Sequence, residues 1–142
     1  MRLTEKQIQD ILSQGLAALG ELGGSFGGIG GRHGGAIGGA IGARITPTAH
    51  LEETITITDM TSTLARLREF LQKLPNNTVG EDAQETYTLI GVIGSGFLNM
   101  NPCVIECELS SNSLKIFAHA KEGLIKQNTC RKGIDMLKKE LQ

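Results

Sequence analysis

The sequence predicts an α+β fold in two parts: an N-terminal helical segment built as a glycine zipper and folded into a hairpin, then β-α-β-β-β-α with an antiparallel sheet covered on one face by two helices. Three observations predict it. Glycine doublets recur at near-helical spacing before residue 45, runs of period two begin at residue 50, and two apolar stripes at helical spacing separate and follow those runs. With 142 residues, 39% of them hydrophobic, the chain suffices for one modest core. Thr46-Pro47-Thr48 marks the boundary, because Pro47 fixes its own φ and turns Thr46 away from helix. The two parts are therefore residues 1–45 and 46–142, within one compact unit.

Thirteen of the 19 glycines fall between Gly15 and Gly42. Doublets begin at Gly23, Gly27, Gly30, Gly34 and Gly38, close to the 3.6-residue helical period and unlike the strict three of collagen. Apolar residues keep the same beat, from Ile8, Leu12, Leu16, Leu19 and Leu22 through Phe26 and Ile29 to Ile37, Ile41 and Ile45. One helix from Ile8 to Ile45 would be about 57 Å long, so a break is expected at Gly30-Gly31-Arg32-His33-Gly34-Gly35. Each glycine costs a helix about 1 kcal/mol against alanine. Only close backbone approach to another helix can offset that.

The repeated Gly-x-x-x-Gly resembles the glycine zippers of membrane-active and channel-forming proteins. The interaction residues expected on this reading are Gly23, Gly27, Gly31, Gly35 and Gly39, with Phe26, Ile29, Ile37 and Ile41 beside them. A partner helix or a second copy of the chain fits them. Spanning a bilayer takes about 20 apolar residues, more than the uncharged runs on either side of Arg32 and His33 hold, so contact with lipid would be at the membrane surface.

In the second part, Leu51, Glu53, Ile55 and Ile57 alternate with Glu52, Thr54, Thr56 and Thr58, which predicts a strand with one polar face. Asp59 or Thr61 caps a helix whose stripe is Leu64, Leu67, Leu71 and Leu74, ended by Pro75. Asn76 to Glu85 reads as a polar loop. Thr86 to Gly94 is a central strand, apolar on both faces. After a turn from Gly94 to Pro102, the next strand points Cys103, Ile105, Cys107 and Leu109 inward and Val104, Glu106 and Glu108 outward. The following strand turns Leu114, Ile116, Ala118 and Ala120 inward and Lys115, Phe117, His119 and Lys121 outward. Opposite charges on the two outward faces suit antiparallel neighbours. Asn128 is expected to cap a last helix with the stripe Cys130, Ile134, Leu137 and Leu141.

Charge and composition exclude several functions. The 14 basic and 15 acidic side chains leave a net charge of -1, and the aromatics are only four Phe and one Tyr, so nucleic acid is not an expected partner. Lys126, Arg131 and Lys132, and Lys138 with Lys139, read as solvated helix faces. Charges at Arg2, Glu5, Lys6 and Asp10 break up the N-terminus, which does not read as a secretory signal, so a cytoplasmic location is expected, with the glycine segment as the part that would meet a membrane.

No catalytic residue, metal site or cofactor motif is expected. The P-loop and dinucleotide fingerprints are absent, and His33, His50 and His119 share no ligand spacing with one another or with cysteine. His119 reads as a solvated sheet residue, and His50 beside Glu52 and Glu53 as a polar strand start. Cys103 and Cys107, four apart in one strand, are about 13 Å apart at their Cα atoms, too far to bridge. Cys130, at a helix start, is the one thiol with a case for a lowered pKa, but its stripe claims it for the core. The expected function is a non-enzymatic structural or interaction protein. The alternative is a small-molecule-binding domain or enzyme with a pocket between sheet and helices near the Gly94 to Pro102 turn.

Overall fold

The computed structural model describes residues 2–14, 47–74, 77–82, 86–94, 102–122 and 126–142. Its elements are α1 (Glu5–Gln14), β1 (Thr48–Thr56), α2 (Met60–Gln72), β2 (Asn77–Asp82), β3 (Thr86–Ile93), β4 (Cys103–Leu109), β5 (Ser113–Lys121) and α3 (Thr129–Leu141). The strands form one five-stranded sheet in the order β1-β5-β4-β3-β2, every neighbouring pair antiparallel. The α+β class and the antiparallel sheet are as expected. Of residues 1–45, expected as a glycine-zipper hairpin, the glycine-rich part from 15 onward lies outside the described residues, and the part before it forms α1.

The expected polar loop from Asn76 to Glu85 contains a strand instead. β2 is a poor strand by composition, yet its backbone pairs with β3 from Asn77 opposite Gly91 to Asp82 opposite Thr86. An edge strand needs only a ladder on one side, so β3, with apolar side chains on both faces, supplies the template. The meander thus has four strands, and β1 joins it beside β5.

On one face lie α2 and α3. Leu64, Leu67, Phe70 and Leu71 of α2 and Cys130, Ile134 and Leu137 of α3 pack on Leu89, Ile93, Cys103, Ile105, Cys107, Leu109, Leu114, Ile116, Ala118 and Ala120 of the sheet. The inward residues of β4 and β5 are those that alternation predicts. α2 begins where Asp59 accepts a hydrogen bond from the Ser62 N–H at 3.1 Å. α3 crosses β4 closely at Gly133, where a Cβ would lie 3.0 Å from Cys103 Sγ. Asn128 sits at the N-cap of α3 in the left-handed region (φ 54°), but its side chain makes no capping bond. The Glu122 carboxyl takes that role, accepting the Thr129 N–H at 2.6 Å.

Glu53, the one acid in the apolar row of β1, is explained by α3. Arg131 donates to its carboxylate at 2.7 Å and Lys138 donates to the other oxygen. Those two cations, expected to be merely solvated, strap the helix to the edge strand.

The second face corrects the expectation that helices cover only one side. Leu3, Ile8, Ile11 and Leu12 pack against Ile90, Val92 and Val104, so α1 and the residues before it lie on the face read as outward. Val104, Glu106 and Phe117, all expected outside, are buried. Alternation distinguishes the two faces of a strand but not whether the second is dry.

Candidate functional site

Beneath α1 the sheet carries a row of polar residues set by register. His50 of β1 is opposite His119 of β5, His119 is opposite Val104 of β4, and Glu106 lies two residues further along β4, diagonal to His119. The Glu106 side chain is 2% exposed and bonds in two directions. One oxygen lies 3.1 Å from His119 Nε2, and the other accepts the buried Leu3 N–H at 2.7 Å. Both partners are needed. A carboxyl group without them would be too costly to bury. His119, expected to be solvated, is largely covered and spends one ring nitrogen on this bond.

Four further contacts hold the chain up to and through α1. Thr4 and Gln7 form a capping box: the Gln7 N–H donates to Thr4 Oγ1 at 3.3 Å and the Thr4 N–H donates to Gln7 Oε1 at 2.8 Å. The Arg2 guanidinium lies 3.8 Å over the Phe117 ring. Gln9 donates its side-chain amide to the Thr48 hydroxyl, and Lys121 donates to the Ser13 hydroxyl at 3.0 Å. Thr48 and Lys121 are themselves opposite one another where β1 begins and β5 ends. Burial lowers the pKa of Lys121. The last turns of α1 and the first residue of β1 are thereby joined at one corner of the sheet.

Between α1 and that corner is a cleft of about 240 Å³ lined by Leu3, Glu5, Ile8, Gln9, Thr48, His50 and His119. Chemically it offers imidazole and carboxyl groups for hydrogen bonding or proton exchange. No group of three or more His, Cys, Asp or Glu among the described residues could hold a metal ion. A larger hollow of about 450 Å³ lies at the opposite end, near Thr56, Asp59, Arg66 and Lys138. Its charged groups are committed elsewhere: Asp59 caps α2, Arg66 donates to the Leu141 carbonyl at 2.8 Å, and Lys138 holds Glu53.

Gly23, Gly27, Gly31, Gly35, Gly39, Phe26, Ile29, Ile37 and Ile41 all lie outside the described residues. So do residues 95–101 of the turn that the alternative reading favours. The described residues flanking it, Ile93 and Cys103, are buried in the filled layer between sheet and helices. The sequence reading missed Glu106 and Leu3. A usable signal was present, since Thr4-Glu5-Lys6-Gln7 is a helix-start pattern directly before Ile8.

Neither the protein-family models nor the curated proteins include one that matches this chain. Among solved structures, the crystal structure of Ara h 8.0201 aligns with a TM-score of 0.41 at 14% identity, covering 67% of this chain and 96% of that one. A likeness so loose lends this chain nothing of what that protein does.

Proposed function

We propose that the chain is a non-enzymatic interaction protein in which the α+β unit serves as a base and the glycine-rich segment 15–46 is the part it displays, as a zipper hairpin that packs against a second copy. The observation that carries this reading is the corner just described. Gln9 with Thr48, and Ser13 with Lys121, bring the departure and return of the segment together. A hairpin needs its two feet side by side.

Two further features favour a base over a binding vessel. The layer between the sheet and α2 and α3 is filled with side chains, and the Glu106 anchor secures the chain just before the first foot. No described helix is long and apolar enough to cross a membrane. A surface contact with lipid is the second use of the same hairpin, because its uncharged runs on either side of Arg32 and His33 fall short of the about 20 apolar residues that a span takes.

Gly27 and Gly31 provide the test. Changing both to Leu would put bulk where backbones must approach. Analytical ultracentrifugation should then show loss of self-association, and flotation with phospholipid vesicles would report the membrane alternative. Unchanged mass, unchanged flotation and unchanged stability would end the zipper reading.

A further inference from the structure

Two of the three cysteines meet beneath the start of α3. Cys103, Ala120 and Ala49 form one row across β4, β5 and β1 on the face that α3 covers. Cys130, in the first turn of α3, reaches down to this row, its Sγ donating to the Ala49 carbonyl at 3.5 Å. The alanines leave room above them for sulfur. One helical turn on, Gly133 leaves room for Cys103 Sγ, which would be 3.0 Å from a Cβ placed there. Cys130 precedes Gly133 by three residues on the same face of α3, so the helix sets both thiols over one patch of the sheet. Spacing along the sequence hid this pair, since it depends on how α3 crosses β4.

We infer that Cys103 and Cys130 are a peroxide-oxidisable pair that closes to an intrachain disulfide joining α3 to β4. Cys130 is the residue that reacts first. It is 5% exposed where Cys103 is 0% exposed, and it occupies a helix N-terminal turn. The mutual influence of the two thiols holds Cys130 below its usual range and, with burial, Cys103 above it.

The chemistry balances with hydrogen peroxide as oxidant. The Cys130 thiolate attacks one peroxide oxygen, the O–O bond breaks, and the departing hydroxide takes up the proton that Cys130 released, leaving a sulfenic acid and one water. Cys103 Sγ then attacks the Cys130 sulfur. The S–S bond forms, the S–O bond breaks, and the departing hydroxyl leaves with the Cys103 proton as a second water. Two thiols are oxidised and one peroxide is reduced. Cys107 is the internal control: it is fully buried, and burial and the neighbouring Glu106 push its thiol up to about 12.

The test treats the full chain with hydrogen peroxide, alkylates it in denaturant and maps the peptides. Two of the three thiols should be lost, with one linked peptide pair containing Cys103 and Cys130 and with Cys107 alkylated. Cys107→Ser should give the same link, and Cys130→Ser should leave the two remaining thiols free. Retention of all three thiols, a link involving Cys107, a link only between chains, or Cys130 oxidised beyond sulfenic acid with Cys103 free would each overturn the inference. The map of the unaltered chain decides the matter even if a variant fails to fold.

Discussion

Replacing Glu106 with alanine removes the carboxylate that hydrogen-bonds the chain before α1 to the middle of the sheet. The Leu3 N–H, bonded at 2.7 Å in a residue 7% exposed, loses its acceptor, and His119 loses its 3.1 Å partner. A buried donor left unpaired costs about 1–3 kcal/mol, and a second lost bond about 1 kcal/mol. Water entering from the adjoining cleft offsets part of this, so α1 should open more easily by about 2–3 kcal/mol. Amide hydrogen exchange reads the change directly, as an acceleration of about 30- to 150-fold for α1 amides such as Ile11 and Leu12. Ile105 and Leu114, in the opposite layer, should change little. Glu106→Gln keeps an acceptor for Leu3 and a donor for His119, and should restore most of the protection. Exchange in α1 that stays at the unaltered level in a folded Glu106→Ala protein, or that rises equally throughout the sheet, would refute the anchoring role.

Gly91→Ala would place a Cβ 2.5 Å from Leu71 Cδ2 and 3.0 Å from Leu74 Cδ1, forcing Leu71 of α2 and Leu74 just beyond it out of place. A loss of about 1–3 kcal/mol is expected, and a urea midpoint equal to or above that of the parent would contradict it. Glu53 predicts a pH effect. The hydrogen bond from Lys138 does most to hold its carboxyl below the ordinary 4.5, against burial, and Arg131 adds to it. A lowered folded-state value means this stabilisation is present above pH 4.5 and is lost as pH falls through the folded value. Glu53→Gln should therefore cost about 0.5–1 kcal/mol at neutral pH and progressively less as pH falls below 4.5, measured from urea midpoints at several pH values. Parallel curves for the two proteins would show that the straps contribute nothing.

The sequence made local order visible and long-range order much less so. β4 and β5 could be read to the residue on their inner face because every inward position is apolar, from Cys103 to Leu109 and from Leu114 to Ala120. The stripe of α2 and its Asp59 cap were equally plain. β2 was not, because Asn77, Gly80 and Asp82 carry no strand preference and the ladder with β3 alone makes them a strand. Glu106 looked solvated because its partners, His119 and the Leu3 backbone, come from β5 and from the far N-terminus. Asn128 looked like a cap by residue type, whereas Glu122, six residues earlier, supplies the acceptor through a fold of the chain. The cleft beneath α1 follows from the pairing of β1 with β5, which no local pattern encodes.

That pairing also shapes how the protein is made. Among the described strands β1 comes first in the sequence and its neighbour β5 comes last, so the β1 ladder closes only after the three strands between them have been made. Until then an alternating Thr-Ile run waits without a partner, and in the finished sheet β1 still forms one border among the described residues. Glu52 and Glu53 sit in the middle of that strand. Two copies paired antiparallel about this midpoint would set carboxylates against carboxylates, a standing obstacle to sheet-to-sheet aggregation. The same acid that straps α3 in the mature fold thus guards the strand while it is alone.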